Sequence, residues 1–244
     1  MRSTVLAAAI VLAAASPGLA ETPVDAARAL IVRYDQDLTR LDRAREVLEA
    51  AAARDPQPES LTLLARVHYL WGDVRATSAE QKLAAYERGR EAGRRAVELA
   101  PKSAEAHLWY AVNTGRWGQT KGVVQSLFLL RPLRQELETV FALDPKLPGA
   151  HSLAGNVDFE VPGLFGGDRA RAEEHFKTAL ALDPKFTGAR VDLARLYLAT
   201  GRPAEARREL QAVIDETAPT NLADWTVKDL PRARALLETV KDRR

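Results

Sequence analysis

The sequence predicts an all-α fold: a solenoid of antiparallel helix pairs ending in a C-terminal capping helix. Three observations predict it. Ala, Leu and Arg are abundant while aromatic residues make up only 6% of the chain, a bias toward side chains that lose little entropy in a helix. No segment of useful length alternates with the two-residue period of a strand. Finally, four prolines share one context, ending the runs AAARDP, VELAP, FALDP and LALDP at Pro56, Pro101, Pro145 and Pro184. Each closes an amphipathic helix, because proline cannot continue it and pushes the preceding residue out of helical angles.

The prolines recur at intervals of 45, 44 and 39 residues, and a further 35 reaches Pro219. The last interval is close to the tetratricopeptide (TPR) period of about 34 residues. In the final unit Ala194, Tyr197, Gly201, Ala206, Leu210 and Val213 stand where that repeat wants small, aromatic, turn, small, large and small residues. Gly155, Ala172, Phe176 and Ala179 do the same one unit earlier, if about five residues are inserted between the two helices. The units ending at Pro145 and Pro101 fit with about ten and twelve inserted. Small residues recur because paired helices approach closely where they cross.

In order, the first helix is expected over 24–53, with a break near Leu38–Leu41. Helices follow at 59–72 and 79–99, the latter closed by Pro101, then at 103–116 and 122–143, closed by Pro145. The next pair is 148–160 and 168–182, with Asp168 as acidic N-cap before the periodic run Ala172, Phe176, Ala179, Leu180. Helices at 186–200 and 203–216 form the last unit, and one at 224–241 caps the array with a charged outer face. Together, residues 21–244 are read as one TPR-like helical domain.

The first twenty residues read as an export signal. Arg2 is the basic start, Val5 to Ala15 the apolar core, and SPGLA the small-residue cleavage site before Glu21. That core is too short for a permanent membrane anchor. A soluble periplasmic protein is expected. With no cysteine, disulfides, thiolate metal sites, cysteine nucleophiles and an acylated N-terminal cysteine are excluded, so no lipid anchor is expected. The net charge is +2 with both signs interspersed, which argues against nucleic acid as a partner.

All three insertions fall between the first and second helix of a unit, so as loops they would line one edge of the stack. GDVRATSAE (72–80) is polar. GRWGQTKG (115–122) carries Trp117 and Lys121 among three glycines, and VPGLFGG (161–167) carries Val161, Leu164 and Phe165. Aromatics on glycine-rich loops either contact a partner or plug the open end of the stack. On the first helices, repeat register directs Thr62, Arg66, Tyr69, Leu108, Val112, Ser152, Asn156, Phe159 and Arg195 to the concave side, a lining suited to a small molecule or peptide. The ligand or partner set is accordingly Tyr69, Trp109, Asn113, Trp117, Lys121, Asn156, Phe159, Leu164 and Phe165.

Catalytic chemistry finds little support. His68, His107, His151 and His175 include no pair at the i, i+4 spacing of helical metal sites, although His107 and His151 are equivalent repeat positions. Asp158 and Glu160 cannot share a helical face, and Glu173-Glu174-His175 reads as a solvated face. GLFGGD lacks the lysine and preceding strand of a phosphate loop. Gly89-xxx-Gly93 lies in a charged helix and marks close helix packing. No enzyme activity, metal or cofactor is expected.

The runs GRWGQTKGVVQSLFLLRPLRQELETVFALDP and DFEVPGLFGGDRARAEEHFKTALALDP resemble the TatT family, periplasmic tetratricopeptide proteins associated with tripartite ATP-independent periplasmic (TRAP) transporters. The resemblance implies a helical protein that partners the transporter's solute-binding protein, a ring-like homotrimer, and clefts able to hold an apolar-tailed organic ligand. The alternative function is a general cell-envelope scaffold for protein assembly, unrelated to transport.

Overall fold

In the computed structural model, residues 22–240 are described. The export signal read at residues 1–20 lies outside them. All regular structure among the described residues is helical.

Helices α1 (Pro23–Ile31) and α2 (Arg40–Arg54) divide the span expected to be helical over 24–53 with a break near Leu38–Leu41. The chain turns earlier than expected, from Val32 to Thr39. There Asp37 accepts from the Thr39 amide (2.9 Å) and hydroxyl (2.7 Å), local bonds that compete with the helical ladder. Tyr34, in the same turn, is fully buried.

Four antiparallel pairs follow: α3 (Pro58–Val74) with α4 (Ala79–Leu99), α5 (Ala104–Lys121) with α6 (Val123–Leu143), α7 (Pro148–Glu160) with α8 (Arg169–Leu182), and α9 (Thr187–Ala199) with α10 (Pro203–Ile214). The proline signal works as expected. Asp55, Ala100, Asp144 and Asp183, each just ahead of a proline, leave the helix with ψ of 93°, 72°, 91° and 91°. The repeat is also visible in a hydrogen bond. Six residues after their prolines, His107 Nε2, His151 Nε2 and Arg190 Nη2 donate to the carbonyls of Pro101 (3.0 Å), Pro145 (3.0 Å) and Pro184 (2.9 Å).

Two of the three expected insertion loops shrink to short turns, at 75–78 and at Gly122. The extra residues lengthen helices instead: α3 and α4 have 17 and 21 residues and α5 and α6 have 18 and 21, against 13 and 12 in α9 and α10. GRWGQTKG is helical up to Lys121, and the chain reverses at Gly122 alone, whose φ of 119° suits glycine. Gly118, and Gly72 in the first of these segments, serve packing. A Cβ at Gly118 would lie 3.1 Å from Leu129, and one at Gly72 2.5 Å from the Tyr86 ring. Close helix contact outweighs glycine's low helix propensity of about 1 kcal/mol.

Only the third insertion is a true loop. Pro162 ends α7, a 3₁₀ turn spans Gly163–Phe165, and Gly166 takes φ 86°. A side chain at Gly167 would collide with the Val161 carbonyl at 1.7 Å. Asp168 then caps α8, accepting from the amides of Ala170 (2.9 Å) and Arg171 (3.2 Å) as the sequence predicts.

The core has two large clusters, one around α1–α5 and one around α8–α10 and the last helix, with smaller ones between them. The C-terminal segment joins both. It runs as α11 (Leu222–Asp224), a π turn (Trp225–Asp229) and α12 (Leu230–Val240). Ala233, Leu236 and Leu237 cap the second cluster as expected, whereas Ala223 and Val227 belong to the first.

A candidate ligand groove

The first helices α3, α5, α7 and α9 line a groove of about 1990 Å³ on the concave side. Of the nine residues that repeat register directs there, eight line it: Thr62, Arg66, Tyr69, Leu108, Val112, Ser152, Asn156 and Arg195. Phe159 does not. It packs with the C-terminal cluster beneath the Arg195 guanidinium, 5.4 Å from the ring centroid. Apolar walls come from Leu108, Val112, Leu130, Leu133, Leu153 and Val157, and Tyr69 and Trp109 meet at 5.7 Å between ring centroids. Arg66 lies 5.6 Å over Trp109. On α7, Asn156 Nδ2 donates to Asp192 Oδ2 at 2.9 Å, so its amide is held toward α9.

Repeat register does not foresee that the C-terminal segment crosses this groove. Lys228 Nζ donates to the Tyr69 hydroxyl (3.1 Å) and pairs with Asp73 Oδ2 (2.9 Å), while Tyr86 (3.1 Å) and Arg116 bond Asp73 Oδ1. Tyr34 donates to Asp224 at 2.5 Å, and the Thr187 hydroxyl to Asp229 at 2.7 Å. Burial opposes the charge on Lys228, but Tyr69, Asp73 and Asp224 outweigh it and hold its pKa well above the usual lysine value. Burial likewise opposes ionised Asp73, and Lys228 and Arg116 outweigh it and keep its carboxyl below the ordinary range. Asp229 has weaker compensation: burial dominates and pushes it up to about 6. Sequence inspection missed this cluster because its hydrogen-bonded partners lie up to 190 residues apart; the one local signal was the density of charges between Asp224 and Arg232.

Of the nine candidate site residues, Tyr69, Trp109 and Asn156 line the groove together. Asn113 is fully buried and donates to the Ala65 and Trp109 carbonyls (3.0 and 2.8 Å), joining α3 to α5. Trp117 lies outside the groove, between Arg90 (4.8 Å) and Lys121 (5.4 Å) over its ring. Leu164 is 90% and Phe165 46% exposed, so neither plugs the stack; Val161 does, packing against the central core.

The histidines are structural partners. His107 Nδ1 lies 2.5 Å from Glu136, a carboxylate not expected beside it, and His151 Nδ1 meets His175 Nδ1 at 3.2 Å. His107 and His151 thus occupy equivalent positions without facing each other. Burial, reinforced by His151, lowers the His175 pKa. Among the described residues no group of three or more His, Asp and Glu is arranged to hold a metal ion.

Stacked helix pairs with a groove along their first helices define a TPR-type helical-repeat protein, and residues 166–225 match a tetratricopeptide-repeat family. Residues 26–166, more than half of the chain, match the family described as regulator of microtubule dynamics protein 1-3, and the chain belongs to that family. Regulator of microtubule dynamics protein 3 of Rattus norvegicus is 26% identical over 196 residues, covering 70% of this chain and 42% of the relative. The Xenopus laevis protein is 24% identical over 213 residues, covering 74% and 46%. The chain therefore spans less than half the length of these curated relatives. Among solved structures, a thermophilic TPR protein of Thermus thermophilus superposes with a TM-score of 0.64 at 24% identity, covering 88% of this chain and 98% of that one. PilF of Pseudomonas aeruginosa gives 0.51 at 17%, covering 89% and 88%. These likenesses show the fold.

Proposed function

We propose that this protein is a non-catalytic, exported binding protein that holds an organic ligand with an apolar body in its concave groove. The observation that carries this reading is the lining. Aliphatic walls and the Tyr69–Trp109 pair offer extended apolar surface, and a few fixed polar groups such as Asn156 and Arg66 orient what enters. The charges on Asp73, Arg116 and Lys228 are engaged with one another in ion pairs. They hold the scaffold and are not poised for proton transfer, which is why a binding role is preferred to an enzyme. The resemblance of residues 115–184 to TatT proteins supports a finer form, in which the partner is the solute-binding protein of a TRAP-type transporter and the ligand its solute.

Native mass spectrometry of protein purified from its own host tests both levels, since it reports retained ligand, partner and oligomer together. A small organic adduct supports the groove, and a co-purifying solute-binding protein supports the transport role. A ligand-free chain bound to assembly proteins of the envelope would replace both with the scaffold reading.

A further inference from the structure

We propose that the tip of the α5–α6 hairpin, with the neighbouring 163–165 turn, docks on an anionic lipid surface. Val123, Val124 and Phe128, at the start of α6, are 70%, 69% and 74% exposed, and Leu164 in the turn is 90% exposed. The turn is fastened to the same helix, because Arg134 Nη2 donates to the Gly166 carbonyl at 2.6 Å. Six helical residues, about 9 Å, separate Arg134 from Phe128. Large apolar side chains from two elements are thus presented on one edge, where no other part of the described chain covers them.

Charge says what covers this edge. Between Glu105 and Glu136 there is no acidic residue, while Arg116, Lys121, Arg131 and Arg134 are basic; elsewhere the signs alternate. Arg116 is engaged by Asp73 and Arg134 by the Gly166 carbonyl. Lys121 and Arg131 make no ion pair with any carboxylate among the described residues, and they flank the apolar tip, two residues before Val123 and three after Phe128. Trp117 stands behind them, half-buried, with Lys121 5.4 Å from its ring centroid. Exposed aliphatic and aromatic groups bordered by unpaired cations and an amphipathic ring suit a phospholipid interface. The apolar groups enter the acyl boundary and the cations meet headgroup phosphates. A second copy fits poorly, since a two-fold contact through this patch sets the cations Lys121 and Arg131 of one copy against those of the other. Val123 also lines the edge of the groove, whereas Lys121, Val124, Phe128, Arg131 and Leu164 do not, so variants at those positions leave the groove lining unchanged.

The test is co-sedimentation of the purified chain with vesicles of phosphatidylglycerol mixed into phosphatidylcholine, against phosphatidylcholine alone. Binding to the anionic vesicles is expected to be more than about twentyfold tighter, from two cations each contributing roughly fivefold. Lys121→Gln with Arg131→Gln should weaken it by roughly twentyfold, and Val124→Asp with Phe128→Asp should abolish it. Leu99→Asp, which alters an exposed leucine elsewhere, should bind like the parent. Circular dichroism and the melting temperature, unchanged in all variants, verify the fold. The proposal is overturned by absent or charge-independent binding of the parent, or by undiminished binding of the tip variants. It is also overturned by a parent dimer that the Val124→Asp, Phe128→Asp variant converts to monomer with no vesicle binding by either.

Discussion

Lys228, near the C-terminus, donates a hydrogen bond to the hydroxyl of Tyr69 on α3 at 3.1 Å across 159 residues of sequence. In an ordinary solenoid each repeat touches only its neighbours, and stability is a sum of local terms. Here the final segment returns to the second helix pair, with Ala223 and Val227 in the N-terminal core and α12 on the C-terminal one. The two ends of the array therefore stabilise each other.

Lys228→Met removes the cation from a nearly buried cluster and leaves Asp73 with Arg116 as its only charged partner. Losing one member of a buried pair is strongly destabilising, and with Arg116 remaining the expected cost is about 2–3 kcal/mol. Urea unfolding should show the loss together with a less cooperative transition, as the ends uncouple. An unchanged midpoint and slope would refute the coupling.

Asp229 sets a pH dependence. Its carboxyl is pushed from the ordinary 3.8 up to about 6 by burial, so the folded state binds its proton more tightly than the unfolded chain does. Its contribution is therefore fully present below about 3.8 and lost as pH rises through about 6, amounting to about 3 kcal/mol. Asp229→Asn, which still accepts from Thr187, should stabilise the protein above pH 6 and remove that part of the slope. Parallel pH-stability curves for the two proteins would contradict this.

Gly93→Ala tests the packing of α4 on α5. The added Cβ would lie 2.8 Å from the Tyr110 Cα, a backbone atom that cannot rotate aside. Alanine is the better helix former by about 1 kcal/mol, but the forced separation should reverse that into a net loss of about 1–3 kcal/mol. A raised melting temperature would show that the helices tolerate the change.

Trp109→Ala and Trp117→Ala separate the groove from the outer face. Trp109 lines the groove beside Tyr69, whereas Trp117 lies outside it between two cations. Removing Trp109 should cost about 2 kcal/mol of ligand binding, about thirtyfold in Kd, through lost apolar contact. Trp117→Ala should leave that affinity unchanged. Equal effects in a titration with the retained ligand would place the site elsewhere.

Legibility followed the range of the interactions. Proline endings were readable because the restriction acts on the adjacent residue, and the extended angles at Asp55, Ala100, Asp144 and Asp183 follow directly. The Asp168 cap is equally local. The Gly89 and Gly93 spacing correctly signalled close packing, with Asn113 and Tyr110 pressed against those positions. GRWGQTKG misled, because only Gly122 turns the chain, while the helix runs through Gly115 and Gly118 and the latter is small to admit Leu129 of the neighbouring helix. In the groove, register located Tyr69 and Asn156. It could not tell that Asn113 turns inward as a latch or that Phe159 faces the core.

The sequence by itself determined the all-helical class, the order of the helix pairs, the repeat and most of the face each first helix presents, since propensity, capping and periodicity act over a few residues. Tertiary structure decided where the two longest insertions went, which aromatics share the groove, and that the C-terminal segment crosses it to bind Tyr69 and Asp73. Those outcomes depend on contacts between residues tens to more than a hundred positions apart. Such contacts leave no local pattern until the chain has closed around them.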